Sequence, residues 1–142
     1  MSKPIWTVSV DVKEINERCR NTLSDHLGIE FIEMGPAHLT ARMPIDRRTI
    51  QPMGIMHGGA SCVLAETVGS AAANYCVDPT KVCVGLDINI NHMKAVKSGS
   101  VTGVASPFHL GKTTQVWDIK IYDETKQLIA VSRLTIAIID KK

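Results

Sequence analysis

The sequence predicts an α+β domain in which a curved antiparallel sheet wraps around one long central helix. Residues 58–77 contain no proline and are rich in Ala, Val and Leu, which predicts a long helix. Four strand-like runs with short turns between them follow this stretch, a pattern typical of an antiparallel sheet. Such a sheet can bury a single long helix only if the sheet curls around it. The small residues along the predicted helix would permit that close approach.

Length and composition limit the class of protein. The chain has 142 residues, 44% of them hydrophobic, which predicts one domain spanning residues 1–142 with a proper core. No run approaches the roughly 20 apolar residues of a membrane span, and the N-terminus lacks the apolar core of a signal peptide. A net charge of +2 gives no reason to expect nucleic acid as a partner. We therefore expect a cytoplasmic protein that binds neither nucleic acid nor membrane.

The first part of the chain contains a helix and two strands. Residues 11–19 have the spacing of a short amphipathic helix, and Asp11 can cap its N-terminus. Residues 29–34 and 38–43 are strand-like and flank a Gly35-Pro36 turn. The loop after them leads into the long helix.

The last part of the chain contains the strands that build most of the sheet. Asp78-Pro79 ends the long helix. Alternation of apolar and polar residues then predicts half-buried strands, and Gly111 marks one of the turns between them. The predicted strands cover residues 82–90, 99–107, 114–123 and 127–139.

Glu66 is the most informative residue of the long helix. It is the only Asp, Glu, Lys or Arg between Arg48 and Asp78, and it shares one helix face with Cys62 and Ser70 at positions i−4 and i+4. A carboxylate is costly to bury without a partner. Two interpretations follow. Glu66 is a boundary residue where the helix reaches the surface, or it is a catalytic carboxylate in a cleft.

The start of the helix favours the catalytic interpretation. Gly58 and Gly59 lack a Cβ, so a ligand could approach the backbone closely. The first N–H groups of a helix are unpaired and lie at its positive end. They could receive a polarised carbonyl oxygen as an oxyanion hole does. With Gln51 in the preceding loop and Glu66 further along the helix, this arrangement predicts an acyl-transfer site.

The run from Gln51 to Ser70 has the pattern Gln-Pro-x-Gly-x-x-His-Gly-Gly-Ala-Ser-x-x-Leu-Ala-Glu-x-x-Gly-Ser. It resembles the hotdog-fold acyl-CoA thioesterases, a family that includes phenylacetate-type enzymes. The similarity is greatest to relatives of 1,4-dihydroxy-2-naphthoyl-CoA thioesterase and of the enterobactin proofreading thioesterase. Further matching segments extend the resemblance from about residue 27 to near the end of the chain: 44–49, 84–92, 110–111, 115–117 and 132–135.

The resemblance implies the hotdog fold and hydrolysis of acyl-CoA thioesters, with aromatic acyl groups favoured and a broad range of acyl groups as the alternative. It also implies a homodimer in which two sheets join edge to edge, often paired again into a homotetramer. In this family the catalytic carboxylate and the glycine N–H come from opposite subunits. A monomer would then be inactive.

The resemblance also implies roles for individual residues. Glu66 would act as nucleophile or as general base, and the residues leave both roles open. The Gly58 N–H would polarise the thioester carbonyl, and His57 and Gln51 would orient it. Ser70 would hydrogen-bond the carboxylate or hold the attacking water. The alternatives are a capping or packing role for His57 and a hydrogen bond from Ser70 to the preceding helical turn.

Two groups of residues are candidates for binding coenzyme A. The first contains His92 and Lys94, and the second contains His109, Gly111 and Lys112. Lysine can meet a phosphate as a point charge. The alternative is that these are solvated basic turns.

Other chemistries are less well supported. No two histidines have metal-ligand spacing, so neither a metal nor a cofactor is predicted. The four cysteines are expected to be reduced and buried as small apolar residues, and no histidine is placed to activate Cys62 as a nucleophile. Two alternative functions remain. One is a thioesterase for acyl groups on a carrier protein, and the other is a non-catalytic acyl-CoA-binding domain, which would not need Glu66.

Overall fold

The computed structural model describes residues 3–142, so residues 1 and 2 of the predicted domain lie outside the described part. Three helices and six strands follow one another along the chain. They are α1 (Val12–Arg18), α2 (Leu23–His26), β1 (Glu30–Met34), β2 (Leu39–Pro44), α3 (Gly58–Asn74), β3 (Lys81–His92), β4 (Ser100–Leu110), β5 (Thr114–Tyr122) and β6 (Leu128–Asp140). Within residues 3–142, no helix has the length and apolar character that crossing a bilayer requires.

The strands form one antiparallel sheet in the order β1-β2-β4-β5-β6-β3. The chain leaves β2, passes through α3 and enters the sheet again at its far edge as β3. Helix α3 packs against β2, β3, β4, β5 and β6, so the sheet encloses it on one side. The predicted α+β fold, a sheet wrapped around one long helix, is confirmed.

The buried face of α3 lies directly on the sheet. Leu64 and Val68 are fully buried. Gly69 lies so close to the sheet that a Cβ atom on it would be 2.7 Å from Leu134 Cδ2 and 3.2 Å from Ile119 Cδ1. A small residue is therefore required where the helix axis comes nearest to β5 and β6.

We expect Gly69→Val to destabilise the fold by about 1–3 kcal/mol, because the added atoms overpack this contact. Urea denaturation followed by circular dichroism measures the change. Thr67→Val is the matched control, since Thr67 is half-buried on the same helix, and its effect should stay within about 0.5 kcal/mol. If Gly69→Val and Thr67→Val were equally stable, the sheet would have moved to accommodate the added atoms.

The two edges of the sheet differ. At the β1 edge, the Asn16 side chain of α1 binds the strand backbone, donating to the Phe31 carbonyl (2.9 Å) and accepting from the Phe31 N–H (2.7 Å). At the other edge, β3 runs for 12 residues, paired with β6 on one side and with no strand of the described chain on its outer side. Its apolar residues Val84 and Leu86 are 41% and 63% exposed. A long, apolar open edge is a surface suited to pairing with another strand.

Candidate active site

The loop before α3 is a tight hairpin that holds two predicted site residues. The Gln51 N–H donates to the Ile55 carbonyl (2.9 Å), and the His57 N–H donates to the Thr49 carbonyl (2.8 Å). Gly54 allows the chain to reverse with φ +78°. Gln51 and His57 are thereby fixed on one side of the loop and at its end.

The cap of α3 leaves a single backbone donor free. His57 is the N-cap, and its Nδ1 accepts from the Gly59 N–H at 2.7 Å. The N–H groups of Ala60 and Ser61 both donate to the His57 carbonyl (3.0 and 3.3 Å). Within residues 3–142, the Gly58 N–H alone in this first turn has no partner. It can therefore donate to a ligand, and the cap requires neutral His57 to carry its proton on Nε2.

A cavity of about 330 Å³ opens at this end of α3. Four of the predicted site residues line it, Gln51, Gly58, His92 and Lys94. The His92 imidazole lies against Gly58, with Nε2 2.8 Å from the point that a Gly58 Cβ would occupy. The apolar part of the wall consists of Ile55, Met56, Met93, Ala95, Val96, Ile129 and Ala130.

Glu66 lies outside this cavity, where the helix reaches the surface beside β3. Its side chain is exposed, and Oε2 touches the position where Gly85 lacks a Cβ. The carboxylate makes no hydrogen bond or ion pair with the residues described. Ser70, one turn further, is half-buried, and its hydroxyl makes no bond to the preceding turn. Both groups are therefore available to a ligand.

Distance separates the two predicted catalytic groups within one chain. Gly58 and Glu66 are eight residues apart on the same helix, which places them about 12 Å apart along its axis. A thioester carbonyl must lie within about 3 Å of its hydrogen-bond donor and about as close to the attacking group. One protomer cannot bring both groups to the same carbonyl.

The first predicted group for coenzyme A adjoins the cavity. Lys94 Nζ lies 3.2 Å from Asp123 Oδ2 and also contacts Gln127 Oε1. Hydrogen bonds from the Thr125 hydroxyl, the Gln127 N–H and Lys94 lower the pKa of Asp123 to about 2. Asp123 therefore stays ionised, and the ammonium group of Lys94 is held at the cavity rim.

The second predicted group lies at the opposite end of the sheet. His109, Gly111 and Lys112 occupy the end of β4 and its turn, and His109 Nε2 is 2.6 Å from the point that a Gly111 Cβ would occupy. Across the sheet, this turn aligns with Val84, eight residues before His92 on β3. That spacing corresponds to about 26 Å. One protomer therefore does not bring the two groups together.

The environment of Cys62 argues against a nucleophilic thiol. Burial and the neighbouring charge of Glu66 both raise the pKa of Cys62 above its ordinary value. A thiol must be a thiolate to attack. Cys62 stays protonated near neutral pH.

Cys62→Ser is accordingly expected to keep kcat/KM within about threefold of the wild type, since no bond to the substrate is lost. Steady-state hydrolysis of a CoA thioester measures this. A fall of two orders of magnitude or more would instead give the thiol a direct role.

Two residues of the site region did not stand out in the sequence. The Thr49 carbonyl accepts a hydrogen bond from the His57 N–H, and the Asp123 carboxylate accepts one from Lys94. Asp46 and Thr49 are spaced as in a side-chain-capped turn, which is the one local signal for Thr49. Asp123 comes from a turn far along the chain, so only the folded structure reveals its partner.

Comparison with known proteins places this site in a family. Residues 53–130, more than half of the chain, match the model of the Thioesterase superfamily. The 1,4-dihydroxy-2-naphthoyl-CoA hydrolase of Escherichia coli is 44% identical over 135 residues, covering 95% of this chain and 99% of that protein. The proofreading thioesterase EntH of Cronobacter turicensis is 43% identical over 134 residues, covering 94% and 98%.

Solved structures agree with the sequence comparison. The crystal structure of a thioesterase from Haemophilus influenzae superposes with a TM-score of 0.94 at 46% identity, covering 96% of this chain and 95% of that one. The fold and these relatives thus define a hotdog-fold hydrolase of thioesters. The chain belongs to the thioesterase superfamily, which confirms the resemblance seen in the sequence.

Proposed function

We propose that the protein hydrolyses acyl-CoA thioesters, with aromatic acyl groups preferred, to the free acid and CoA. The observation that carries this proposal is the unpaired N–H of Gly58, a residue that lines a largely apolar cavity of about 330 Å³. Ligand pockets of roughly 300–1,000 Å³ are typical for small molecules, so an aromatic ring fits. The E. coli relative named above, a naphthoyl-CoA hydrolase, supports the same substrate class.

The first part of the proposed mechanism is recognition of the carbonyl. The thioester oxygen accepts from the Gly58 N–H and gains negative charge in the transition state, where this donor is worth most. Gln51 Oε1 is already engaged by the Met53 N–H, so its amide NH2 group is left to donate to the substrate. His57 is the N-cap beside Gly58 but does not line the cavity, and its Nε2–H would be a third donor to the carbonyl or the acyl group.

The second part is attack by Glu66. As general base it removes a proton from water, whose oxygen bonds to the carbonyl carbon. The C–S bond then breaks, and the CoA sulfur takes up the proton. As nucleophile it bonds to the carbon itself, expels the CoA thiolate and forms a mixed anhydride that water hydrolyses. Ser70 holds the carboxylate or the water in either route.

A homodimer completes the site in this proposal. Two β3 strands paired antiparallel at their open edges place the His92 end of one beside the Lys81 end of the other. The cavity of one subunit then faces Glu66 of the partner subunit. The same pairing brings the first group of predicted CoA contacts in one subunit close to the second group in the partner subunit. Further pairing of dimers into a tetramer is the arrangement expected from the family.

The proposal places the protein in the cytoplasm. All four cysteines are free in the structure, as suits a reducing compartment. CoA thioesters would be the substrates encountered there.

Release of free thiol from benzoyl-CoA and from a medium-chain acyl-CoA tests the proposal. We expect hydrolysis of both, with a higher kcat/KM for benzoyl-CoA. No thiol release from any CoA ester would contradict it. The same acyl group on a phosphopantetheine carrier protein distinguishes the alternative substrate, because a carrier-specific enzyme would act on that form alone.

A further inference from the structure

Thr49 joins the end of β2 to the start of α3 and is buried, with 1% of its surface exposed. Its hydroxyl donates to the Pro44 carbonyl (2.8 Å) and accepts from the Asp46 N–H (3.1 Å). Its carbonyl accepts from the His57 N–H at 2.8 Å. One residue therefore connects the rigid sheet to the N-cap of the helix that carries the site.

A second set of bonds stiffens the turn around Thr49. The Asp46 carboxylate accepts from the Arg48 N–H (2.9 Å) and from the Arg48 guanidinium (2.7 Å). Arg48 Nη1 donates in addition to the His26 carbonyl of α2 at 3.2 Å. The turn is thus tied to two separate elements, and the Thr49 carbonyl has little freedom to move.

The direction of the Gly58 N–H depends on this anchor. The peptide plane between His57 and Gly58 carries that N–H, and His57 is held at two points. The Thr49 carbonyl holds its N–H, and the Gly59 N–H holds its imidazole. The bond to Gly59 lies within the helix itself, whereas the bond to Thr49 links the cap to the turn that leaves β2. The neighbouring Met56 N–H adds a second link, because it donates to the Val96 carbonyl at 2.8 Å.

We propose that Thr49 is a positioning residue for thioester hydrolysis: its hydroxyl-fixed carbonyl holds His57 and so aims the Gly58 N–H at the thioester oxygen. The inference rests on the proposed function, since it assumes that the Gly58 N–H binds that oxygen. A donor displaced by a fraction of an ångström still permits substrate binding but stabilises the transition state less.

Thr49→Val, which removes the hydroxyl and keeps the shape, tests the inference. We expect kcat for benzoyl-CoA to fall about 10- to 100-fold. Binding of a CoA thioether, in which CH2 replaces the carbonyl, should be unchanged because that analogue has no oxygen for Gly58. Thr49→Ser should restore kcat, since it keeps the hydroxyl. Thr40→Val is the matched control, because Thr40 is also buried, at 7% exposure, but lies in β2 away from the loop.

Two outcomes would overturn the inference. One is a wild-type kcat in Thr49→Val, and the other is an equal loss of kcat and thioether affinity, which would mean general disorder of the loop. If Thr49→Val does not fold, Asp46→Ala replaces it, since Asp46 is partly exposed. A smaller fall in kcat with unchanged thioether binding is then expected, and an unchanged kcat would count against Thr49. Failure of the proposed function is distinguishable, because the wild type itself would release no thiol.

Discussion

Glu66→Gln is expected to reduce kcat for benzoyl-CoA by about 10²- to 10⁴-fold, the range associated with loss of a general base. The amide keeps the size of the side chain but neither accepts a proton from water nor attacks a carbonyl. Glu66 makes no internal hydrogen bond or ion pair within the described chain and is exposed beside Gly85. Its loss should therefore leave folding intact.

Glu17→Gln is a suitable control for Glu66→Gln. Glu17 is an exposed carboxylate on α1, paired only with Arg20 at the surface, and its removal should leave kcat unchanged. Thermal unfolding and size-exclusion chromatography establish that each variant is folded and assembled like the wild type. Equal activity in Glu66→Gln and the wild type would make Glu66 a boundary residue and would reject both catalytic roles.

Gly58→Pro is expected to lower kcat by about 10²- to 10³-fold, as loss of one oxyanion-hole donor does. Of the backbone donors in the first turn, proline at position 58 removes this N–H and no other. It is well tolerated at the first position of a helix, and His57 before it has the extended conformation that proline requires (φ −71°, ψ 130°).

Gly58→Ala tests whether the loss expected in Gly58→Pro comes from the missing N–H or from the added side-chain atoms. A Cβ at this position would lie 2.8 Å from His92 Nε2, and alanine adds that atom while keeping the N–H. We expect Gly58→Ala to retain clearly more activity than Gly58→Pro. If both variants lose activity equally, crowding of His92 explains the loss and the N–H has no separate role.

Mixing the two inactive variants tests where the groups of one site come from. If each site is shared between subunits, a dimer of one Glu66→Gln chain and one Gly58→Pro chain has one intact site and one doubly damaged site. After random exchange of subunits, about a quarter of wild-type activity should return. No recovery after exchange, verified by mass spectrometry of the mixed dimers, would place both groups of a site in one chain.

Much of the fold follows from local patterns. The long helix begins at the predicted His-Gly-Gly, and the strands fall where alternation or β-branched runs predicted them. The sequence missed α2, Leu23–His26, because four residues are too few for a helical period. Strand β3 continues to His92, beyond the predicted end, because pairing with β6 sustains it there. Hydrogen-bonded neighbours set strand ends more than side-chain patterns do.

The candidate site was less completely predictable. The residue types at Gly58 and Glu66 predicted an oxyanion donor and a carboxylate, and the helix places both as the spacing requires. The division of the predicted CoA contacts between opposite ends of the sheet appears only once the strands are paired.

The bond between Asn16 and Phe31 has a consequence for how many chains can join. A sheet with two free edges could add subunits at both sides and grow into a ribbon without limit. Here the Asn16 amide occupies the backbone groups of Phe31 at one edge, as a neighbouring strand would. In the proposed dimer, strand pairing would therefore use the β3 edge and not the position of Phe31. The Asn16 side chain would in this way disfavour growth beyond two chains, because backbone groups that are already hydrogen-bonded cannot pair with a further strand.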